Sequence, residues 1–355
     1  MMRNKKSKQQ TLRPALAAIL TGILLLGVAV TGTDALTTFE SEDILNDAIE
    51  NYNSANYDKA IEMLRPLADD ETVNLEHRKD ALRYLGRCYV ATRNNQKAKA
   101  ALEKLIVLEP PLIEFDPDRE SPPLMRVYYQ ARKKKSNSYE LERKDPGIKT
   151  MAIMDFRNSS ITEKEKYDPM EKGFSDILIS RLNGQTDLKV VERERLQWIL
   201  QELEIQNKYS MEGAVRAGKQ LGVHVVVFGS YIIVDNSIWL SARLVKVESS
   251  EILFTTDVKG KPDDFFELTE KLGQKIRKAV DGGKLSEASG PSKTTNSLEA
   301  ILSYSEGLEL LERGEYADAH QKFNEALEHD PTYEKAKLKS DSIKDLLVYS
   351  DSETY

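Results

Sequence analysis

Cysteine is almost absent from this 355-residue chain: Cys88 is the only one, so no internal disulfide can form and no thiol cluster exists to hold zinc. Histidine is nearly as scarce. His77, His224, His320 and His329 fall at no spacing that sets two of them on one helical face, so no metal centre is expected. No nucleophile elbow and no phosphate-binding glycine loop occurs anywhere, which removes the commonest hydrolase and nucleotide-binding chemistries, and no cofactor is expected. There is no basic excess either. With 51 Lys and Arg against 58 Asp and Glu, a net charge of −7 argues against a nucleic-acid binder, which needs a basic face.

One long hydrophobic run is present. Arg3, Lys5, Lys6, Lys8 and Arg13 precede an uncharged stretch from Pro14 to Thr33, rich in Leu, Ile, Val and Ala. Residues 1–35 read as an export signal cut near Thr33-Asp34-Ala35, or as an uncleaved membrane helix that anchors the chain. The positive flank stays cytoplasmic in both cases, so everything after Asp34 is expected outside the inner membrane, in the periplasm or envelope.

Between residues 149 and 260 apolar strands alternate with amphipathic helices across short turns, the pattern of a compact α/β domain at 147–282. The order is a strand at 149–155, a helix near 168–182, a strand at 188–191, two helices within 193–221 and then three strands. Asp235-Asn236-Ser237 and Glu248-Ser249-Ser250 are turn signals, so the last three strands should form an antiparallel meander before a final helix at 263–280. The expected fold class is a mixed sheet in the order β-α-β-α-α-β-β-β-α, flanked by helical repeats.

Those repeats lie on both sides. Leu82, Leu85, Gly86, Tyr89, Ala98, Leu102, Leu105 and Pro110 follow the tetratricopeptide pattern of small and large residues, and 41–74 fits it more loosely, giving helical repeats over 41–135. Gly307, Gly314, Tyr316, Ala319, Phe323, Ala326 and Pro331 form another, with a trailing helix, over 298–350. The small residues let paired helices approach while Tyr89, Leu102 and Phe323 fill the seam. Repeats of this kind bury their apolar faces on neighbours, so each group must pack on the α/β domain, on the other group or on a partner. The Gly, Ser, Thr and Lys-rich stretch 283–297 reads as a flexible tether that lets the C-terminal repeat swing.

Within the α/β stretch, Ala152-Ile153-Met154-Asp155-Phe156, Gly173-Phe174-Ser175-Asp176, Val190-Val191-Glu192-Arg193, Leu221-Gly222-Val223, Val226-Val227-Phe228-Gly229-Ser230 and Ala242-Arg243-Leu244-Val245 occur in an order and spacing that resembles the curli production assembly/transport component (CsgG) family. The resemblance implies a fold shared with periplasmic envelope proteins, including a secretion channel and activators of cell-wall synthases, and it implies assembly instead of catalysis. Two departures stand out. The family commonly carries a lipid-modified cysteine at the mature N-terminus, and no residue between Thr21 and Glu40 can serve. Its channel members carry long membrane hairpins, and here Gln206 to Met211 and the meander turns are too short for them, so no pore is expected.

Asp155, Phe156, Phe174, Glu192, Arg193 and Gly229 mark the expected core of this domain. Asp155 and Glu192 end the first two strands, where paired carboxylates act as acid and base in some α/β enzymes; capping and ion pairing with Arg157, Arg193 or Arg195 is the plainer expectation. Asp116, Asp118 and Glu120 resemble a calcium loop only weakly, since prolines interrupt it and the central glycine is missing. Arg132-Lys133-Lys134-Lys135 reads as a solvated helix end or a contact for acidic lipid or cell-wall polymer. Tyr52, Tyr57, Tyr84, Tyr89, Tyr304 and Tyr316 divide between the repeat cores and a concave surface for peptides. The reading that follows is a non-enzymatic envelope scaffold that binds proteins through its repeats. The alternatives are a homo-oligomeric ring guiding exported subunits and a regulator of a peptidoglycan synthase.

Overall fold

The computed structural model describes residues 38–108, 115–139, 149–183, 186–205, 207–280 and 295–347. The apolar segment 1–35, Pro110 and most of the 283–297 tether lie outside the described residues.

The chain opens with helices α1 (Thr38–Asn53), α2 (Tyr57–Asp69), α3 (Leu75–Ala91), α4 (Asn95–Leu108) and α5 (Pro122–Ser136), each packed on the next. Tyr57, Ala60, Leu64, Leu67 and Ala68 give α2 one buried face at helical spacing. At Gly86 α3 and α4 pack closely: a Cβ there would sit 2.9 Å from Leu102 Cδ2. Cys88 is wholly buried on α3, and burial pushes its thiol up to about 12, so it is inert packing.

The central domain contributes β1 (Thr150–Ile153), β2 (Arg157–Asn158), α6 (Lys164–Tyr167), α7 (Met170–Leu182), β3 (Lys189–Val190), α8 (Arg193–Glu202), α9 (Met211–Leu221), β4 (Val225–Val234), β5 (Ser237–Lys246), β6 (Ile252–Gly260) and, after a 3-10 turn at Pro262–Asp264, α10 (Phe265–Val280). The sheet runs β3-β1-β4-β5-β6, with β1 parallel to β3 and β4, and β4, β5 and β6 antiparallel. Ser237 already belongs to β5, leaving Asp235-Asn236 as the whole hairpin loop, and Asp235 takes the positive φ of 52° that such loops require. The short strand β2 falls between the expected strand at 149–155 and the expected helix near 168–182, where the sequence shows no strand period. It is only two residues long and pairs in parallel with β4 at Ser230 and Tyr231.

Helices α11 (Leu298–Arg313), α12 (Tyr316–His329), α13 (Glu334–Ser342) and α14 (Lys344–Leu347) follow. A Cβ on Gly307 would lie 2.5 Å from Phe323 Cε1, so this hairpin closes like α3 on α4. The sheet separates two apolar clusters. One joins α1–α5 to α8, α9 and the face carrying Ala152, Val226 and Phe228. The other joins α7, α10 and α11–α13 to the face carrying Met151, Ile153 and Val227.

Three hairpins share one turn. Ala55, Arg93 and Gly314 each precede the second helix by two residues and take φ of 59°, 57° and 82°. The next residue in each closes the same bond, Asn56 N to Asn51 O at 2.8 Å, Asn94 N to Tyr89 O at 2.7 Å and Glu315 N to Leu310 O at 3.0 Å.

Candidate functional site

The ends of the parallel strands converge on Asp155, just beyond β1, and its carboxylate is almost fully buried. Arg193, the first residue of α8, donates from Nε to Oδ1 at 3.2 Å and from Nη2 to Oδ2 at 3.3 Å. Ser175 Oγ on α7 (2.9 Å), Gln197 Nε2 on α8 (3.0 Å) and Lys208 Nζ before α9 (3.2 Å) complete its shell. Burial pushes the Asp155 carboxyl up. The Arg193 and Lys208 charges and the Ser175 hydrogen bond outweigh it, and the group sits below the usual carboxylate range.

Arg193 also reaches outward. Its Nη2 donates to Glu312 Oε1 on α11 at 2.6 Å, and Lys172 on α7 holds the other oxygen of Glu312 at 2.6 Å. Burial pulls the guanidinium down, but Asp155 and Glu312 hold it above its ordinary value.

Two further charge clusters extend the line. Asp176 on α7 accepts from Lys335 Nζ on α13 (2.6 Å) and from Tyr304 Oη on α11 (3.0 Å). Lys339, one turn on, pairs with Glu194 of α8, lies 3.3 Å from Asp118 and donates to the Pro117 carbonyl at 2.9 Å. Burial depresses both ammonium groups, yet their facing carboxylates, Asp118 and Asp176 for Lys335 and Glu194 and Asp118 for Lys339, raise them above the ordinary lysine value. These contacts correct the expectation of a swinging C-terminal repeat: α11–α13 lie docked on α7 and α8 by buried ion pairs.

A small cleft, with about 70 Å³ of solvent space, opens above this line between α5, α8, α11 and α13. Tyr129, Trp198 and Leu308 give it apolar walls, and Arg193, Glu312 and Lys339 give it a charged floor. The Trp198 indole N–H is buried without a partner.

The sequence candidates separate here. Asp155 and Arg193 meet, whereas Glu192 stays half-exposed at the start of α8 and Asp155 pairs with cations and not with a second carboxylate. The acid–base pairing of Asp155 with Glu192 is therefore not assembled. Phe156 stacks edge-on against Phe174 at 4.4 Å, and Gly229 leaves room for both Phe156 and the Ser241 carbonyl. Asp118 and Glu120 serve as ion-pair partners of Lys339 and Arg87. Among the described residues no group of His, Cys, Asp or Glu has a metal-binding arrangement. His224 lies just ahead of β4, where its Nδ1 accepts the Thr150 N–H at 3.1 Å. The basic run is spent on contacts: Arg132 on the Tyr128 hydroxyl, Lys133 on Glu202, Lys134 on Glu103 and Lys135 on the Ile106 carbonyl. Tyr57, Tyr89 and Tyr304 are buried, Tyr52, Tyr84 and Tyr316 half-buried. Ala98, Ala319 and Phe323 are fully buried in their hairpins, while Pro331 lies at the turn after α12. Sequence reading missed Glu312, Lys335 and Lys339 and met Asp176 only as part of the Gly173-Phe174-Ser175-Asp176 run; the trace of the lysines was their spacing of one helical turn.

Residues 134–238 match the family described as "Curli production assembly/transport component CsgG". The chain carries a CsgG-family domain. The match runs from the end of α5 into the start of β5 and so takes in Asp155, Arg193 and the parallel part of the sheet. Among solved structures, the LpoB C-terminal domains from Salmonella enterica and Escherichia coli each align at 14% identity with a TM-score of 0.25, covering 41% of this chain and 99% of theirs. Similarity at that level assigns nothing further to this chain. No curated protein matches it in sequence.

Proposed function

We propose that the protein is a non-enzymatic adaptor of the cell envelope, in which the CsgG-family domain is a platform for two groups of tetratricopeptide-like helices that bind protein partners. The observation that carries this reading is the use made of the buried charges. Arg193, Asp176 and Glu194 of the central domain hold the C-terminal helices in place through Glu312, Lys335 and Lys339, and Asp155 in turn holds Arg193. The turn shared at Ala55, Arg93 and Gly314 supports treating the flanking helices as copies of one repeat.

The basic, apolar N-terminus supports export, with the rest of the chain in the periplasm and the membrane contact confined to residues 1–35. Among the described residues no helix is long and apolar enough to cross a membrane.

Absolute mass by light scattering on a chain starting at Leu36 tests the adaptor against the ring. A monomer or dimer is expected. An assembly of many copies would replace the adaptor with a transport component. Replacing Asp155 by Asn supplies a second test: an adaptor loses stability and partner capture together, whereas an enzyme would lose turnover with its fold intact.

A further inference from the structure

The outer strand of the sheet, β6, ends the strand order, and among the described residues no strand pairs with its outer edge. Its register with β5 and the bond from Lys275 Nζ to the Asp257 carbonyl (2.8 Å) fix which backbone groups face outward. Residues of one parity in an antiparallel strand direct both N–H and C=O to the same side, so Thr255, Asp257 and Lys259 present theirs away from β5.

Helix α10 runs back along this edge. Leu268 lies against Gly260 and Lys275 against Asp257. Seven helical residues rise about 10.5 Å and three strand residues about 10 Å, so helix and strand stay in step. A groove of about 500 Å³ lies between them, lined by Lys271, Lys275 and Lys278 of α10 and by Asp257 and Lys259 of β6, the Lys259 ammonium lying over the Trp239 ring at 4.4 Å. Lys271 is matched by Glu267 on its own helix (2.6 Å), while Lys275 and Lys278 are exposed and, among the described residues, form no ion pair with a carboxylate. The protein as a whole is acidic, so a row of lysines along its open sheet edge is a local reversal of charge.

We infer that the β6 edge accepts an extended acidic segment of a partner protein as an added strand, with carboxylates at alternate positions on the lysines of α10. Alternate side chains of a strand stand about 6.8 Å apart, close to the 6 Å rise from Lys271 to Lys275, so successive carboxylates meet successive lysines. Lys275 would move from the Asp257 carbonyl to a carboxylate, and the freed carbonyl would accept the N–H of the added strand. The same charges disfavour a second copy in this place, because two-fold pairing of β6 would bring two lysine rows together. This surface is separate from the helical repeats and stands whether or not they bind partners.

The test uses the full chain and fluorescence anisotropy with a labelled, capped peptide alternating glutamate and valine, against a lysine–valine control. Binding of the acidic peptide alone is expected, weakening at least tenfold in a Lys275→Glu/Lys278→Glu variant that binds the basic peptide in its place. Asp257→Pro removes one outward N–H and leaves the β5 ladder intact, so it should also weaken binding while the melting temperature holds. Equal binding of both peptides, or unchanged binding in Asp257→Pro, would reduce the groove to a non-specific charged surface and overturn the inference. So would absent binding together with dimerisation of the lysine variant at high concentration, because the lysines would then serve only to keep copies apart.

Discussion

Helices α1–α5 and α11–α13 flank the same domain and close their hairpins alike, small residue against large, at Gly86 on Leu102 and Gly307 on Phe323. They meet the domain by different chemistry. The first group arrives through aromatic contact, with Tyr129 and Tyr139 each 5.4 Å from the Trp198 ring, and its charged pairs there, such as Lys133 with Glu202, stay near the surface. The second group arrives through buried charge, with Lys335 on Asp176, Lys339 on Glu194 and Glu312 on Arg193. Each of the five successive helices packs on the next, so the first group builds much of its own core. A lone hairpin with a trailing helix cannot do so and must use α7. Buried ion pairs add little net stability but tolerate little displacement, so only one seating of α11–α13 neutralises Asp176, Glu194 and Glu312 together.

The largest effect should come from the sheet that both groups share. Gly229→Leu drives a side chain into Phe156 and the Ser241 carbonyl, and a loss above about 4 kcal/mol should unfold the domain and both interfaces. A thermal melt indistinguishable from the parent would refute this core. Lys335→Met leaves Asp176 buried without its cation, a cost of about 3–5 kcal/mol. Hydrogen exchange should then lose protection in α11–α13 while α1–α4 keep theirs, and Asp176→Leu in the same chain should recover most of it. Uniform loss across the molecule would mean that the two regions are one cooperative unit. Leu102→Ala inverts the pattern, costing about 2–5 kcal/mol and releasing α3–α5 first.

The pH dependence sharpens the same contrast. Asp155 is held below its unfolded value, so its contribution is complete above about pH 4 and is lost as pH falls through the lower, folded value. Lys335 and Lys339 are raised, so theirs is complete below about pH 10.4 and is lost as pH rises through the folded values. Alkali should release α11–α13 before α1–α4, measurable by exchange at graded pH. The smallest effect concerns the shared turn: Ala55→Gly and Arg93→Gly relieve left-handed backbone and should each stabilise by up to about 1 kcal/mol in chemical denaturation, whereas Gly314→Ala should lose a similar amount.

The α/β order was legible because each element repeats its apolar residues at its own period: ten residues of β4 and the amphipathic α10 leave little choice. The two residues of β2 are too few to show a period. Arg157 is exposed and only the backbone registers them on β4. The turn at Ala55 and Arg93 was hidden because neither residue advertises a left-handed backbone as Gly314 does. Asp155 and Arg193 were visible as strand and helix ends. Their outer partner Glu312, and Lys335 and Lys339 on α13, lie more than a hundred residues away in segments that read as solvated helix.

Local pattern alone thus determined the helices, the meander and the domain family, since hydrophobic period and turn chemistry act within a few residues. Where the last hairpin sits, and that Asp155 belongs to a structural network instead of an acid–base pair, was decided only by tertiary structure. Burial sets the worth of a charge, and burial depends on which distant segments fold over it.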